Sequence, residues 1–379
     1  MWPDDRLADL RVSGGTVAEV AGPGKLARGT RELDLEGRWL LPGLVNAHDH
    51  LDFSTFPPLG RPPYASVYEW AAQVDGGSGD PAAAAALAVP LPDRLFLGGL
   101  RNLLAGVTAV AHHNAFHRSL ARPDFPVRVL QRYQFAHSPG LTPELRRTYR
   151  TTDRRVPWMV HLAEGTDARC GAELAALIEA NVLRQNTVII HGIALPLHEM
   201  ARLAAARACV VWCPESNRRL YGASAPVKAL RQAGVRVGLG SDSPVSGVRD
   251  PLSNLAAARG EDGLGDEALL TLATRESAEV ARLPLGAATA GAAADFVVVD
   301  EIEALLEGRR RAVALVVTAG QPLYGDAELM AEAVPRSRAV TVDGRAQRLA
   351  EGPARRAAAL LRAHAGLARL AWLADVVWS

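Results

Sequence analysis

The chain has 379 residues, 49% hydrophobic and 22% charged, which is enough for one large α/β barrel with an accessory domain, or for two ordinary globular domains. With 42 Lys and Arg against 41 Asp and Glu, the formal net charge is only +1. This balance excludes a global field that would recruit nucleic acid or an anionic membrane. We therefore expect a small-molecule partner, no nucleic acid and no membrane.

The cysteines and the apolar segments bear on the compartment. Cys170, Cys209 and Cys213 are odd in number and lack C-x-x-C spacing, a usage typical of a reducing environment. The first five residues lack the basic-then-apolar order of a signal peptide, and the sequence has no uncharged apolar run of about 18 residues. The sequence thus predicts a cytoplasmic protein.

Short β-type stretches occur near both ends of the chain. At the start they lie at residues 10–15, 17–20 and 31–35, separated by turn residues. These are too few to bury a core of their own. Further β-type stretches follow at 295–300, 313–317 and 339–344. We predict one small composite β-sandwich, built from residues 1–39 and 285–350.

The middle of the chain, residues 40–284, alternates apolar strands with helices rich in Ala, Leu and Arg. The predicted strands are 40–47, 107–111, 127–135, 158–161, 188–191, 209–213 and 235–239. Continuous apolar strands between helices indicate a parallel sheet covered on both faces, so we predict an α/β fold of the (β/α)8 TIM-barrel type. Between residues 112 and 157 we find one strand where such a barrel has two, which predicts a trimmed or irregular barrel there.

The last segment, residues 351–379, is predicted to be a C-terminal helix, with the helical pattern at 354–373. One apolar stripe indicates packing against its own domain. The alternative is a helix that forms a homodimer.

Two histidines flank one aspartate at the end of the first barrel strand, as His48-Asp49-His50. Successive side chains on a strand alternate between its faces, so the two imidazoles point the same way. They can then bind one metal ion. The alternative is a pair of buried histidines with ordinary hydrogen bonds.

More titratable residues follow later strands. His161, His191 and Asp242 come at strand ends, where the loops of a barrel converge. Imidazoles plus one carboxylate suit zinc or iron(II), and zinc is favoured. Glu164 lies three residues after His161 and can move protons in the same cavity. The alternative for Glu164 is a carboxylate at a helix N-terminus.

Seven motifs in chain order carry a family resemblance. They are PGLVNAHDH (42–50), GVTAV (106–110), HLAE (161–164), IHG (190–192), CPESN (213–217), GSD (240–242) and GAAADF (291–296). The set resembles the amidohydrolase superfamily, and most of all its cytosine deaminase, chlorohydrolase and imidazolonepropionase branch. The resemblance implies a barrel inserted in a composite sandwich.

The resemblance also implies a ligand set, one divalent metal ion held by His48, His50, His161 and Asp242. It implies that His191 polarises the substrate, that Glu164 shuttles protons and that Asp242 also takes the proton of the attacking water. Members with two metals usually use a carbamylated lysine on a strand before His161. Residues 127–138 contain no Lys, Asp, Glu or Cys, which favours one metal.

The predicted function is that of a metal-dependent hydrolase acting on a non-peptide C–N bond, by hydrolytic deamination of a cyclic amidine or aminated heterocycle. Ring opening of a lactam or imidazolone is the enzymatic alternative, and a non-catalytic binding scaffold is the other. The segment after the first strand is shorter than in the branch, which leaves the substrate open. Among the polar residues at 112–117, we expect one to line the pocket.

Overall fold

A computed structural model describes residues 1, 3–29, 31–74, 79–261 and 263–378. Its strands are β1 (Asp9–Ser13), β2 (Thr16–Ala21), β3 (Trp39–Pro42), β4 (Leu44–Asp49), β5 (Val107–His112), β6 (Arg128–Val129), β7 (Gln134–Ala136), β8 (Trp158–Leu162), β9 (Thr187–His191), β10 (Cys209–Trp212), β11 (Arg236–Leu239), β12 (Phe296–Val299), β13 (Val313–Thr318), β14 (Gln321–Asp326), β15 (Ser337–Val342), β16 (Arg345–Ala350) and β17 (Val376–Trp378).

The helices alternate with the middle strands and continue to the C-terminal region. They are α1 (Val67–Val74), α2 (Pro81–Ala88), α3 (Leu91–Leu104), α4 (Leu145–Arg150), α5 (Ala168–Glu179), α6 (Met200–Ala206), α7 (Pro214–Tyr221), α8 (Val227–Gln232), α9 (Pro251–Arg259), α10 (Asp266–Thr271), α11 (Ser277–Val280), α12 (Ile302–Leu306), α13 (Ala327–Ala333) and α14 (Glu351–Ala363). A π-helical segment, Leu272–Glu276, joins α10 to α11.

Strands from both ends of the chain build the β-region. One sheet has the order β17-β15-β16-β14-β13-β12-β3, and β1 and β2 form a separate antiparallel hairpin. Along β12 the side chains alternate: Phe296 and Val298 pack with Val17 of the hairpin, while Val297 and Val299 join the main core with the barrel. The large sheet is therefore buried between two layers.

The N-terminal part departs from the sequence-based prediction in two places. Residues 31–35 form no strand, so that prediction is wrong. The predicted strand 40–47 is in fact two strands that separate at Gly43, with β3 paired to β12 and β4 in the barrel. A Cβ at Gly43 would lie 2.1 Å from the Thr108 hydroxyl oxygen, so the chain needs glycine to pass between the two sheets.

Eight parallel strands follow one another in the order of a (β/α)8 barrel. They hydrogen-bond as two sheets, β4-β5-β6 and β11-β10-β9-β8-β7. The Asp242 amide donates to the His48 carbonyl at 3.0 Å, which joins the chain beyond β11 to β4. The predicted fold class, a TIM-barrel-type α/β domain with a β-sandwich, is confirmed.

The barrel is irregular where the sequence left its layout open. The predicted strand 127–135 is wrong as a single strand, because β6 and β7 replace it. Only residues 130–133 separate these two short strands, which leaves no room for a helix between them. Helix α4 restores the alternation before β8.

Helices α2 and α3 concern the expected absence of a membrane span, and α14 concerns the predicted C-terminal helix. No single helix among the described residues is long and apolar enough to cross a membrane, although α2 and α3, bent by 101°, meet that test as a pair. Most residues of α3 are buried inside the protein. The predicted helix 354–373 is wrong beyond Ala363, where α14 ends and 3-10 turns lead to β17 at the edge of the large sheet.

Candidate functional site

The first histidine pair lies at the end of β4. His48 is its penultimate residue and His50 follows it, and both are buried. Their ring centroids are 5.0 Å apart. Asp49 points away from them, and its carboxylate accepts from Arg101 Nη2 at 2.7 and 2.8 Å and from Asn102 at 2.7 Å. The alternation of a strand thus separates two imidazoles from a structural carboxylate.

His161 and Glu164 come from β8 and the turn after it. His161 lies within the strand, and its ring centroid is 5.1 Å from that of His48. Glu164 is buried, and its Oε2 is 3.6 Å from His161 Nδ1. The helix that follows is capped by Asp167, whose side chain accepts from the Cys170 amide at 2.8 Å. The helix-cap alternative for Glu164 is therefore wrong.

His191 and Asp242 complete the cluster from β9 and from the turn after β11. Both have left-handed backbones, with φ of +71° and +58°. Non-glycine residues adopt this region at a cost, and such strain concentrates at functional sites. His191 Nδ1 donates to Asn217 Oδ1 at 2.8 Å, and its Nε2 is 3.5 Å from Glu164 Oε1.

The six predicted residues converge on one place. Asp242 Oδ1 is 3.8 Å from His48 Nε2 and 3.9 Å from His50 Nε2. His48, His50 and His161 each offer a nitrogen within 4.8 Å of the others. Ligands about 2.0–2.2 Å from one cation lie about 3–4 Å from one another, so a cation between these groups needs only small side-chain movements.

The state of the histidines fits a cation. Burial first, and then the neighbouring histidines, lower the pKa values of His48, His50 and His161 well below the ordinary range. The imidazoles are therefore neutral, the form that binds metals. Both ring nitrogens of His48 and Nε2 of His161 are buried without a hydrogen-bond partner among the described residues. Unpaired buried nitrogens are costly unless something binds them.

The two carboxyl groups differ in their surroundings. Burial raises the pKa of Glu164 to about 7, against the lowering effects of His191 and Tyr221. Burial also raises the pKa of Asp242. A carboxyl group that titrates near neutral pH can both accept and donate a proton, which suits acid–base chemistry.

Two further side chains, His113 and Tyr221, contact the predicted site residues. His113, one of the polar residues at 112–117, stacks on His161 with centroids 4.3 Å apart, and its Nε2 donates to the Ala136 carbonyl at 3.1 Å. Tyr221 donates to Glu164 Oε1 at 2.7 Å. A signal for Tyr221 existed in its spacing, four residues after Asn217 on one helix, but only a structure shows what that helix face contacts.

Comparisons with known proteins bear on the family and on the fold. A model of the amidohydrolase family matches residues 152–324. Two curated relatives are named 5-methylthioadenosine/S-adenosylhomocysteine deaminase. The protein from Natronomonas pharaonis is 29% identical over 352 residues, covering 78% of this chain and 80% of its own length. The protein from Halobacterium salinarum is 26% identical, covering 77% and 81%.

Solved structures share the fold. An adenosine deaminase from Xanthomonas campestris with bound zinc superimposes with a TM-score of 0.69 and 21% identity, over 83% of this chain and 88% of that one. Atrazine chlorohydrolase from Arthrobacter aurescens, in complex with zinc, gives 0.68 and 20%, over 83% and 90%. Taken together, the barrel, its cluster and these similarities define a hydrolase of carbon–nitrogen bonds. The match to the amidohydrolase family model and the similarity to these relatives agree with the family resemblance that the sequence motifs carry.

Proposed function

We propose that this protein hydrolyses the exocyclic amino group of a nitrogen heterocycle, and that the ring is a 6-aminopurine carried by a nucleoside or thionucleoside. Metal-dependent hydrolytic deamination of a heterocycle is the reaction that the relatives support. The finer substrate rests on the names of the two haloarchaeal relatives, which cover more than three quarters of this chain. The observation that carries the proposal is Glu164, buried beside His161 and His191.

The proposed resident metal is one zinc ion, held by His48, His50, His161 and Asp242. Neutral imidazoles with unpaired nitrogens and one carboxylate form a ligand set that suits zinc. The zinc-bound structural neighbours favour the same metal. When bound, such a cation supplies the Lewis acidity that makes water nucleophilic at neutral pH.

The side chains of this chain divide the proton transfers. Asp242 accepts the proton that the attacking water loses. Glu164 donates its proton to the ring nitrogen next to the attacked carbon. Asp242 then passes the water proton to the amino group, which leaves as ammonia, while Glu164 regains a proton from the hydroxyl that becomes the carbonyl oxygen. His191, held through Nδ1 by Asn217, presents Nε2 to the attacked centre. The elements of one water molecule replace the amino group by a carbonyl oxygen, with release of ammonia.

The compartment and the oligomeric state are further parts of the proposal. A cytoplasmic location forms part of the proposal, supported by the three buried free cysteines Cys170, Cys209 and Cys213. The predicted homodimer also stays a prediction. Within the chain, α14 buries Pro353, Ala354, Ala357 and Leu360 against its own domain.

A substrate panel tests the proposal. Purified zinc-loaded protein is given 5′-methylthioadenosine, S-adenosylhomocysteine, adenosine, an aminotriazine and a lactam, and ammonia and ring-opened product are measured separately. We expect ammonia from a purine, and release about 10²–10⁴-fold slower in Glu164→Gln. Ammonia from the triazine alone would refute the purine assignment. Ring-opened product without ammonia would favour the lactam alternative, and folded protein without any turnover would favour a binding scaffold.

A further inference from the structure

We propose that Tyr221 is a positioning residue that holds the Glu164 carboxyl by one oxygen, so that the other oxygen exchanges protons with the substrate. The inference rests on the proposed function, because it takes Glu164 as the proton shuttle. The observation behind it is the unequal environment of the two Glu164 oxygens, which Tyr221 creates.

The contacts distinguish the two oxygens clearly. Oε1 accepts the Tyr221 hydroxyl at 2.7 Å and also lies 3.5 Å from His191 Nε2. Oε2 lies 3.6 Å from His161 Nδ1, and it is buried without a hydrogen-bond partner among the residues that the structure describes. A hydrogen bond fixes the rotation of a carboxyl group, since both oxygens move together. Oε2 is therefore the atom that is left to face a substrate.

Helix α7 gives Tyr221 a fixed position. The helix begins at Pro214 and ends at Tyr221, where Gly222 turns the chain with φ of +66° and donates its amide to the Arg218 carbonyl. Residues four apart lie on one face of a helix, so Asn217 and Tyr221 point the same way. Asn217 holds His191 and Tyr221 holds Glu164, so one helix face orients two groups of the site.

Packing keeps the Tyr221 hydroxyl aimed at Glu164. Its ring is buried in a cluster with Tyr64, Ile193 and Leu220. The Tyr64 amide donates to the Leu220 carbonyl at 2.7 Å, which fastens the segment after β4 to the end of α7. A ring enclosed in this way has no alternative rotamer without displacing its neighbours. The hydroxyl therefore acts as a fixed donor.

Removal of this hydroxyl tests the inference by kinetics. In Tyr221→Phe, we expect kcat to fall about 10–100-fold, as for loss of a supporting hydrogen bond, while KM changes by less than about 3-fold and metal content stays equal. The matched control is Tyr64→Phe. It removes a tyrosine hydroxyl from the same cluster, but that hydroxyl contacts Arg61 and Gln73, not Glu164. Equal losses in both variants would show a merely structural role and overturn the inference.

A crystal structure of Tyr221→Phe provides a second readout that needs no turnover. We expect the Glu164 carboxyl to rotate or to occupy more than one position, with the backbone unchanged. If the carboxyl keeps the single wild-type position, the inference is wrong. Should wild-type protein deaminate none of the panel, the proposed substrate class fails, and the crystal structure still decides the role of Tyr221. If wild-type protein is active and Tyr221→Phe matches it in kcat, only this inference fails.

Discussion

Two buried carboxyl groups near the strand ends, those of Asp49 and Glu164, have very different surroundings. Asp49 is saturated with donors: Arg101 contacts both its oxygens, and Asn46 and Asn102 donate to Oδ2 at 3.0 and 2.7 Å. Glu164 has one donor on Oε1 and none on Oε2 among the described residues. Burial raises the pKa of both groups. A saturated carboxylate stabilises the fold, whereas an unsaturated one keeps an atom free for chemistry.

The backbone follows the same division. Asp49 belongs to the regular strand β4, whereas Glu164 lies between Ala163, with φ of +54°, and Gly165, with φ of +150°. A Cβ at Gly165 would lie 2.5 Å from the Ala65 carbonyl oxygen, so the chain there requires glycine. Glu164 is thus held by a constrained turn, and Asp49 by a regular strand.

The largest expected effect comes from His161→Ala, which removes a proposed ligand on the catalytic side. Without the cation, the attacking water returns from a pKa of about 7 toward about 15.7, so we expect turnover to fall at least about 10⁴-fold. Metal analysis should fall from about one ion per chain to almost none. Circular dichroism serves as the folding control. Folded His161→Ala protein that still holds one ion would contradict the ligand assignment.

Glu164→Gln tests whether the carboxyl group with a free oxygen serves the reaction and not the stability of the fold. The variant keeps the size of the side chain but removes its acid–base function, so we expect kcat to fall about 10²–10⁴-fold. Because Oε2 has no partner to lose, thermal unfolding should show stability within about 0.5 kcal/mol of wild type, or higher. Metal content should remain at the wild-type value. Full turnover in this variant would refute the proton-shuttle role.

Arg101→Met tests whether the fully hydrogen-bonded carboxylate of Asp49 stabilises the fold. Both members of this ion pair are fully buried, and removal of one partner leaves Asp49 uncompensated, so we expect a loss of about 3–5 kcal/mol in the free energy of unfolding. Denaturant unfolding measures it. The control is Arg101→Met combined with Asp49→Asn, which removes the unpaired charge and should recover part of the loss. If Arg101→Met is as stable as wild type, the contrast between the two carboxyl groups does not hold.

The sequence predicted the parts of the fold that follow from periodicity and from strand-end chemistry. Apolar strands such as β8 and β9 appear where they were expected, because runs buried on both faces are recognisable. The change of sheet at Gly43 was missed, since residues 39–45 on both sides of it are apolar throughout and only the contact with Thr108 shows the break. The two strands β6 and β7 were also missed as separate strands, because they are two and three residues long.

For the site, the alternation His48-Asp49-His50 was enough to separate two imidazoles from a carboxylate. The partner of Asp49 was beyond prediction, since Arg101 is 52 residues away on α3 and its side chain could as well face solvent. The same holds for Tyr221, which is 57 residues from Glu164. Long-range hydrogen bonds leave no periodic pattern in a sequence. Local patterns therefore predict the metal-binding and acid–base residues, but not the distant side chains that hold them in place.

His113→Ala has the smallest expected effect, because His113 supports the site from its edge. It stacks on His161 and donates to the Ala136 carbonyl, so its loss frees the His161 ring without removing a proposed ligand. We expect metal affinity to weaken about 10–100-fold, measured by competition with a chelator. His113→Phe keeps an aromatic ring stacked on His161, so it should weaken the metal affinity less than His113→Ala does.

An alternative role for His113 is direct binding of a cation, since His113, His137 and His161 also offer nitrogens within 4.8 Å of one another. The orientation of the rings argues against it. The planes of His113 and His161 are only 24° apart, so their lone pairs run side by side and do not converge on one point. If His113→Ala and His113→Phe both lose the ion as completely as His161→Ala, His113 is a metal ligand. It then belongs with the residues that act in the chemistry and not with those that support them.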